Sequence, residues 1–220
     1  IDIEINANIV AHHTSSTSQF IKGVKNVIAI ASAKGGVGKS TTTVNLALAL
    51  EKEGAKVGIL DADIYGPSIP AMLGIVGKPE SNDGKRMLPM QAHNLQANSI
   101  GFLVPNDQAL IWRGPMVTQA LDQLLRQTEW ANLDYLLIDM PPGTGDIHLS
   151  LAQKVPLTGA VIVTTPQEIA VQDARKGIQM FQKVSVPILG VIENMGAYIC
   201  PSCGNEEFIF GSGGGEQLCK

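Results

Sequence analysis

The stretch Val27-Ile-Ala-Ile-Ala-Ser-Ala-Lys-Gly-Gly-Val-Gly-Lys-Ser-Thr41 decides the fold. Its first five residues are a short apolar run without alternation, which suits a strand buried on both faces. Three glycines within four residues follow, and from Lys39 to Glu53 the pattern reads as a helix. A Gly-rich loop between a buried strand and a helix is the setting of a phosphate loop. Glycines let backbone N–H groups converge on phosphate oxygens with no Cβ in the way. The helix N-terminus adds its partial positive charge. Lys39 is placed to reach the β- and γ-phosphates, and Ser40 to ligate Mg²⁺. The first glycine of the usual pattern is replaced by Ala33, whose single methyl adds little bulk. The residues from Lys34 to Thr41 are therefore expected to hold a nucleoside triphosphate with magnesium: Lys34, Gly35, Gly36, Val37, Gly38, Lys39, Ser40 and Thr41.

Outward from this loop the chain repeats the same rhythm. Lys56–Leu60, Tyr135–Ile138, Gly159–Val163 and Pro187–Ile192 are further buried-strand runs, and Pro115–Trp130 and Glu168–Lys183 read as helices. Strands without alternation, separated by helices, predict an α/β fold: a mostly parallel twisted sheet with helices on both faces. In such sheets ligands sit at the carboxyl ends of the strands. Each motif of interest falls there: the phosphate loop, Asp61–Ser68, Asp139–Asp146 and Asn194.

The bulk composition narrows the function. The 220 residues suffice for one sizeable domain with a real core. A net charge of −4 without any basic run argues against nucleic acid as a partner. No apolar stretch is long enough to span a bilayer, no signal peptide opens the chain, and no membrane role is expected. Three cysteines, an odd number, argue against a secreted disulfide framework and for a reducing, cytoplasmic setting. The chain starts on Ile and stops inside what reads as a young helix at 215–220, so the expectation is a piece of a longer protein. Residues 1–20 read as the tail of a preceding domain or a linker, with an edge strand of the main sheet as the other reading of Ile1–Ile5. Residues 21–220 read as the ATPase domain, cut at its C-terminus.

Two acidic segments follow strands. Leu137-Ile-Asp-Met-Pro-Pro-Gly-Thr-Gly-Asp146 places Asp139 at a strand end facing the loop, where a carboxylate can hold Mg²⁺ directly or through water. Gly143 and Gly145 would let this segment move with the γ-phosphate, and Asp146 suits helix capping. Leu60-Asp-Ala-Asp-Ile-Tyr-Gly-Pro-Ser68 carries Asp61, suited to supporting magnesium's water ligands and the loop itself, and Asp63. A different chemistry is announced by Ile199-Cys-Pro-Ser-Cys-Gly204. Two thiolates in such a turn can face one metal, yet a soft tetrahedral site needs four ligands. Two turns could meet across a dimer axis. Cys219 and a further cysteine beyond Lys220 could complete a zinc ribbon. The pair could also be a redox dithiol or an inert turn. The four His residues show no metal spacing with each other or with the cysteines, and surface positions are expected for them.

Lys34-Gly-Gly-Val-Gly-Lys-Ser-Thr41 resembles the deviant Walker A loop of the MinD/ParA/nitrogenase-iron-protein group of ATPases. The resemblance implies that Lys34 crosses a dimer interface to the partner's nucleotide, that Asp63 orients the attacking water, and that Asn194 contacts adenine. Asp61-Ala-Asp-Ile-Tyr-Gly-Pro-Ser-Ile-Pro70, Trp112-Arg-Gly-Pro-Met116, Asp139–Asp146, Thr164-Thr-Pro-Gln-Glu168 and the Cys200/Cys203 pair together resemble the Mrp/ApbC family. The match runs over roughly Lys22–Gln217. It implies an ATP-hydrolysing, magnesium-dependent homodimer that bridges a 4Fe–4S cluster between Cys200 and Cys203 of two subunits and passes it to apo iron–sulfur proteins. Zinc in place of the cluster is the alternative cofactor, and a MinD/ParA-like positioning or partitioning ATPase or a zinc-stapled nucleotide-binding scaffold is the alternative function. Cys219 matches no family ligand position, and Trp112-Arg113-Gly114 acquires no chemical role.

Overall fold

The computed structural model describes residues 8–12, 20–103 and 114–219. The expected strand at Ile1–Ile5, most of the polar segment after His12, and Trp112 and Arg113 lie outside the described residues.

Among the described residues, sixteen elements follow one another along the chain. Strand β1 (Val24–Ala31) leads through the glycine loop to helix α1 (Lys39–Lys52), then β2 (Val57–Asp61) and α2 (Ile69–Leu73). A β3–β4 pair (Met90–Ala92, Leu95–Ser99) is followed by a 3₁₀ turn, Ile100–Phe102. The chain continues with α3 (Gly114–Gln127), β5 (Leu133–Asp139), α4 (Asp146–Lys154), β6 (Gly159–Thr164), α5 (Glu168–Lys183) and β7 (Ile188–Glu193). A two-stranded hairpin, β8 (Tyr198–Ile199) with β9 (Glu206–Glu207), precedes the short α6 (Gly214–Leu218). The main sheet has seven strands in the order β3-β4-β2-β5-β1-β6-β7. All pairs are parallel except β3 with β4.

The apolar runs lack alternation because both faces of the sheet are covered. On β1, Val27, Ala29 and Ala31 enter one core with Leu121, Leu125 and Phe181. Ile28 and Ile30 enter the other, with Val44, Ala47 and Leu73. On β5, Leu136 and Ile138 face the first core and Leu137 the second. Each fully buried Leu contributes on the order of 1.5–3 kcal/mol of hydrophobic burial.

The five buried strands expected of the main sheet and the helices expected at Lys39–Glu53, Pro115–Trp130 and Glu168–Lys183 are present, and the doubly covered, mostly parallel sheet is as predicted. Two differences have clear causes. The β3–β4 pair was not expected, because Leu95-Gln-Ala-Asn-Ser99 is largely polar. Its polar groups are buried but satisfied: Asn98 Nδ2 donates to Thr128 Oγ1 at 2.7 Å, and Ser99 Oγ donates to Asp61 Oδ2 at 3.1 Å. The helix expected to reach Trp130 stops at Gln127. Met87 takes over the backbone there, donating its N–H to Gln127 O and accepting from Glu129 N–H, both at 2.8 Å. Trp130 is then buried, with Nε1 donating to Leu125 O at 3.0 Å. Among the described residues no helix is long and apolar enough to cross a membrane.

Candidate functional site

The parallel register brings three strand ends together. Ile30 of β1 and Asp61 of β2 both pair in register with Asp139 of β5. Two carboxylates thus sit on neighbouring strands, about 4.8 Å apart in backbone spacing, under the loop that leaves β1.

That loop turns into α1 through Gly38, whose φ of 84° lies in the left-handed region that glycine tolerates best. No side chain caps the first turn of α1, and the turn holds no acidic residue. Lys39 is buried and its Nζ lies 2.7 Å from Asp139 Oδ1. Ser40 Oγ donates to Asp139 Oδ2 at 2.6 Å, and Thr43 Oγ1 donates to Oδ1 at 2.9 Å. Asp139, fully buried, therefore accepts from three side chains of one helix turn. Lys39 also approaches Asp63 Oδ2 at 3.7 Å, a looser ion pair than the one with Asp139.

The second carboxylate is different in character. Asp61 is fully buried and accepts from Asp63 N–H at 3.1 Å, Ile69 N–H at 3.2 Å and Ser99 Oγ. Both ends of the Asp61–Ile69 loop are thereby fastened to one side chain. Burial pushes the Asp61 carboxyl up to about 7, and the Asp139 charge adds to this. The three hydrogen bonds pull the other way without cancelling the effect. Asp63 is also raised, first by burial, against the lowering influence of Lys39.

The segment after Asp139 is held at two points. Gly143 N–H donates to Ser32 O at 2.9 Å, with Gly143 at φ 114°. His148 Nε2 lies 2.8 Å from Pro141 O, which places the proton on that nitrogen. Asp146 is the first residue of α4 rather than its cap: Gly145 is the N-cap and no side chain caps the helix, so the Asp146 charge acts only on the positive end of the helix dipole. On the far side of the loop Asn194 Nδ2 donates to Val37 O at 2.9 Å.

The arrangement is chemically specific. One helix N-terminus with open N–H groups, one buried lysine and a serine–aspartate pair of hard oxygens form a cradle for phosphate and a hard divalent cation. Ser40 Oγ and Asp139 Oδ2, 2.6 Å apart, are oxygens of the kind that could hold Mg²⁺. The structure thus brings together Lys39, Ser40, Asp63, Asp139 and Asn194 around the loop. Lys34 is exposed and makes no ion pair among the described residues. Gly35 and Gly36 are exposed, Val37 is buried, and Thr41 faces solvent. Thr43 and Ser99 were not anticipated. Thr43 could have been found from its position one turn beyond Lys39 on the same helix face; nothing local marks Ser99.

Cys200 and Cys203 lie elsewhere, on the turn between β8 and β9. Cys200 N–H donates to Asn205 O and Gly204 N–H to Cys200 O, both at 2.9 Å. Gly204 takes φ 72°, so the glycine after the pair closes the turn. Backbone N–H groups of Cys203 and Ser202 lower the Cys200 thiol from its ordinary value. All three cysteines are free, and among the described residues no third His, Cys, Asp or Glu completes a metal-ligating group. Cys219 caps α6 and does not join the pair. Tyr198, Ile199, Phe208, Ile209 and Phe210 stand exposed around the turn.

Comparison with known proteins converges on one group. Residues 23–220 match the family model described as NUBPL iron-transfer P-loop NTPase. The chain is 60% identical to an iron–sulfur cluster carrier protein of Escherichia coli, over 100% of this chain and 60% of that protein. It is 52% identical to the iron–sulfur cluster transfer protein NUBPL of Mus musculus, over 91% of this chain and 63% of that one. It therefore spans roughly three-fifths of the length of these relatives. Among solved structures, a nucleotide-binding protein from Archaeoglobus fulgidus in complex with ADP is similar with a TM-score of 0.79 and 40% identity, covering 90% of this chain and 77% of that one. The cell division ATPase MinD of Pyrococcus furiosus is similar with a TM-score of 0.57 and 25% identity, covering 77% and 72%.

Proposed function

Because the chain belongs to the NUBPL iron-transfer P-loop NTPase family, we propose that it is a magnesium-dependent ATPase that carries an iron–sulfur cluster and delivers it to apoproteins. The observation that supports this most is the coexistence, in one chain, of a buried phosphate cradle at the end of the main sheet and an exposed two-cysteine turn on a separate hairpin.

In this proposal the N–H groups of Gly35–Thr41 wrap the phosphates, and Lys39 leaves Asp139 to reach the β- and γ-oxygens. Ser40 and Asp139 hold magnesium, which supplies charge neutralisation to the phosphates when bound. Asp63 orients the attacking water and accepts its proton, a role that suits a carboxyl held above its ordinary range. Asn194 is assigned to adenine; its bond to Val37 O leaves its own oxygen available as an acceptor. Lys34, exposed and without an ion pair among the described residues, acts on the nucleotide of a second copy, as an arginine finger does.

Cys200 and Cys203 provide two of the four thiolates that a 4Fe–4S cluster takes. A second copy supplies the other two, so the cluster is cargo bridging a homodimer. Three free thiols suit a reducing compartment, and we place the protein in the cytoplasm. Zinc is the competing ligand for the same pair, and metal analysis of anaerobically purified protein separates the two. Reconstitution with iron and sulfide is expected to give thiolate-to-iron absorption and a dimer, both lost in Cys200→Ala. Retention of the cluster in Cys200→Ala and Cys203→Ala, or stoichiometric zinc in its place, overturns the carrier role.

A further inference from the structure

Glu193 and Asn194 are neighbours at the carboxyl end of β7, and each bonds to a different segment. Asn194 Nδ2 donates to the Val37 carbonyl in the phosphate loop, and its backbone N–H donates to Thr164 O at 2.8 Å. The contact is close: a Cβ built on Gly38 falls 2.2 Å from Asn194 Nδ2. Glu193 serves the other side. Its Oε1 accepts from Gly213 N–H at 3.1 Å, and its Oε2 accepts from Gly215 N–H. Gly213 and Gly215 are where the chain returns after the excursion that carries Cys200 and Cys203. That excursion departs at Met195, directly after Asn194, with φ 59°, a left-handed conformation uncommon for a non-glycine residue. Both ends of the cysteine-bearing segment therefore meet at Glu193. Glycines make the fit possible: a Cβ on Gly215 would lie 3.1 Å from Glu193 Cβ, and one on Gly196 3.3 Å from its Oε1.

We propose that Glu193 is a positioning residue that transmits the state of the phosphate loop to the cysteine pair. The inference rests on the functional reading above and gives it a route. β7 is held to β6 through Thr164↔Glu193, so its end is a fixed pivot. A change in the loop at Val37 acts on the Asn194 amide, and the adjacent carboxylate grips the backbone N–H groups of Gly213 and Gly215 at the start of α6, where the cysteine-bearing segment ends. The charge-assisted bonds to these N–H groups are stronger than neutral ones, which suits a clasp that must not slip.

The test uses cluster-free, reduced protein and the alkylation rates of Cys200 and Cys203, read by peptide mass so that Cys219 is counted apart. Rates are compared with magnesium and either ADP or a non-hydrolysable ATP analogue at saturation. Wild-type rates are expected to differ by about fivefold between the two nucleotides, the low end of ordinary coupling between sites. Glu193→Gln replaces one acceptor oxygen with a donor and keeps the shape. It is expected to bind both nucleotides within about twofold of wild type and to lose the difference in thiol reactivity. Glu193→Ala is expected to lose it too, with both cysteines faster in every state. A Gln variant that keeps the wild-type response overturns the inference, as does a nucleotide-saturated wild type whose thiols do not respond. Protein that takes up no iron but still shows the Glu193-dependent response sinks the carrier reading and leaves this link standing.

Discussion

The phosphate end of the sheet and the cysteine hairpin are built on opposite principles. At the first, Lys39, Ser40 and Thr43 converge on a fully buried Asp139, and Asp61 beside it is fastened by three hydrogen bonds. At the second, two strands of two residues each hold a turn whose surroundings are exposed and apolar. A site that must place charge accurately is enclosed and preorganised by its own chain. A site that offers two sulfur ligands is open, with apolar side chains that a lone subunit would ordinarily bury. The buried carboxylates are satisfied within the chain, whereas the cysteine turn offers its two sulfurs with no further ligand beside them among the described residues.

The contrast can be broken at several points. Lys39→Ala should have the largest effect, because it leaves Asp139 buried without its cation. A loss of about 3 kcal/mol in urea denaturation is expected, together with loss of nucleotide binding. Near-normal stability would show that water reaches Asp139 and that the cradle is less closed than its geometry indicates. Asp63→Ala should spare ATP affinity and slow hydrolysis by about 100-fold. Single-turnover kinetics would separate the two, and normal turnover would remove Asp63 from the chemistry.

Asp61 gives a subtler handle. Its carboxyl is raised from 3.8 to about 7, so between those values the folded state holds a proton that the unfolded chain has released. Stability without magnesium and nucleotide should therefore fall as pH rises through that window and level off above it. Asp63, also raised, adds in the same direction. Asp61→Asn should flatten the slope in denaturation curves taken across the window, and an unchanged slope would refute the assignment to Asp61. The smallest effects belong to the hairpin. Cys203→Ala and Phe208→Ser should each change the stability of the metal-free monomer by no more than about 0.5 kcal/mol, as for other exposed positions. A larger loss from Phe208→Ser would mean that the hairpin packs on its own subunit, sharpening where the two regions meet.

Much of this was legible in the linear sequence, and the reasons are local. Val27–Ala31 and Tyr135–Ile138 announce doubly buried strands because no polar residue interrupts them. Gly35, Gly36, Gly38, Lys39 and Ser40 announce phosphate because only that order of glycine, cation and hydroxyl opens a helix onto an anion. Leu95–Ser99 stayed hidden because Asn98 and Ser99 are made tolerable by Thr128 and Asp61, partners far away in the chain. Thr43 was passed over, and His148 was expected at the surface but is buried against Pro141 O, for the same reason: each acts through a residue that the fold brings near.

Residue order alone determined the class of sheet, the phosphate loop and the two-thiol turn, since each depends on contacts within one turn of chain. Tertiary structure decided which carboxylates face one another, because the register of β2 against β5 sets Asp61 beside Asp139. It also decided that Glu193 and Asn194, adjacent in sequence, bond to different segments, the start of α6 and the glycine loop. Successive residues at a strand end point to opposite sides, and only the packed sheet says what lies on each.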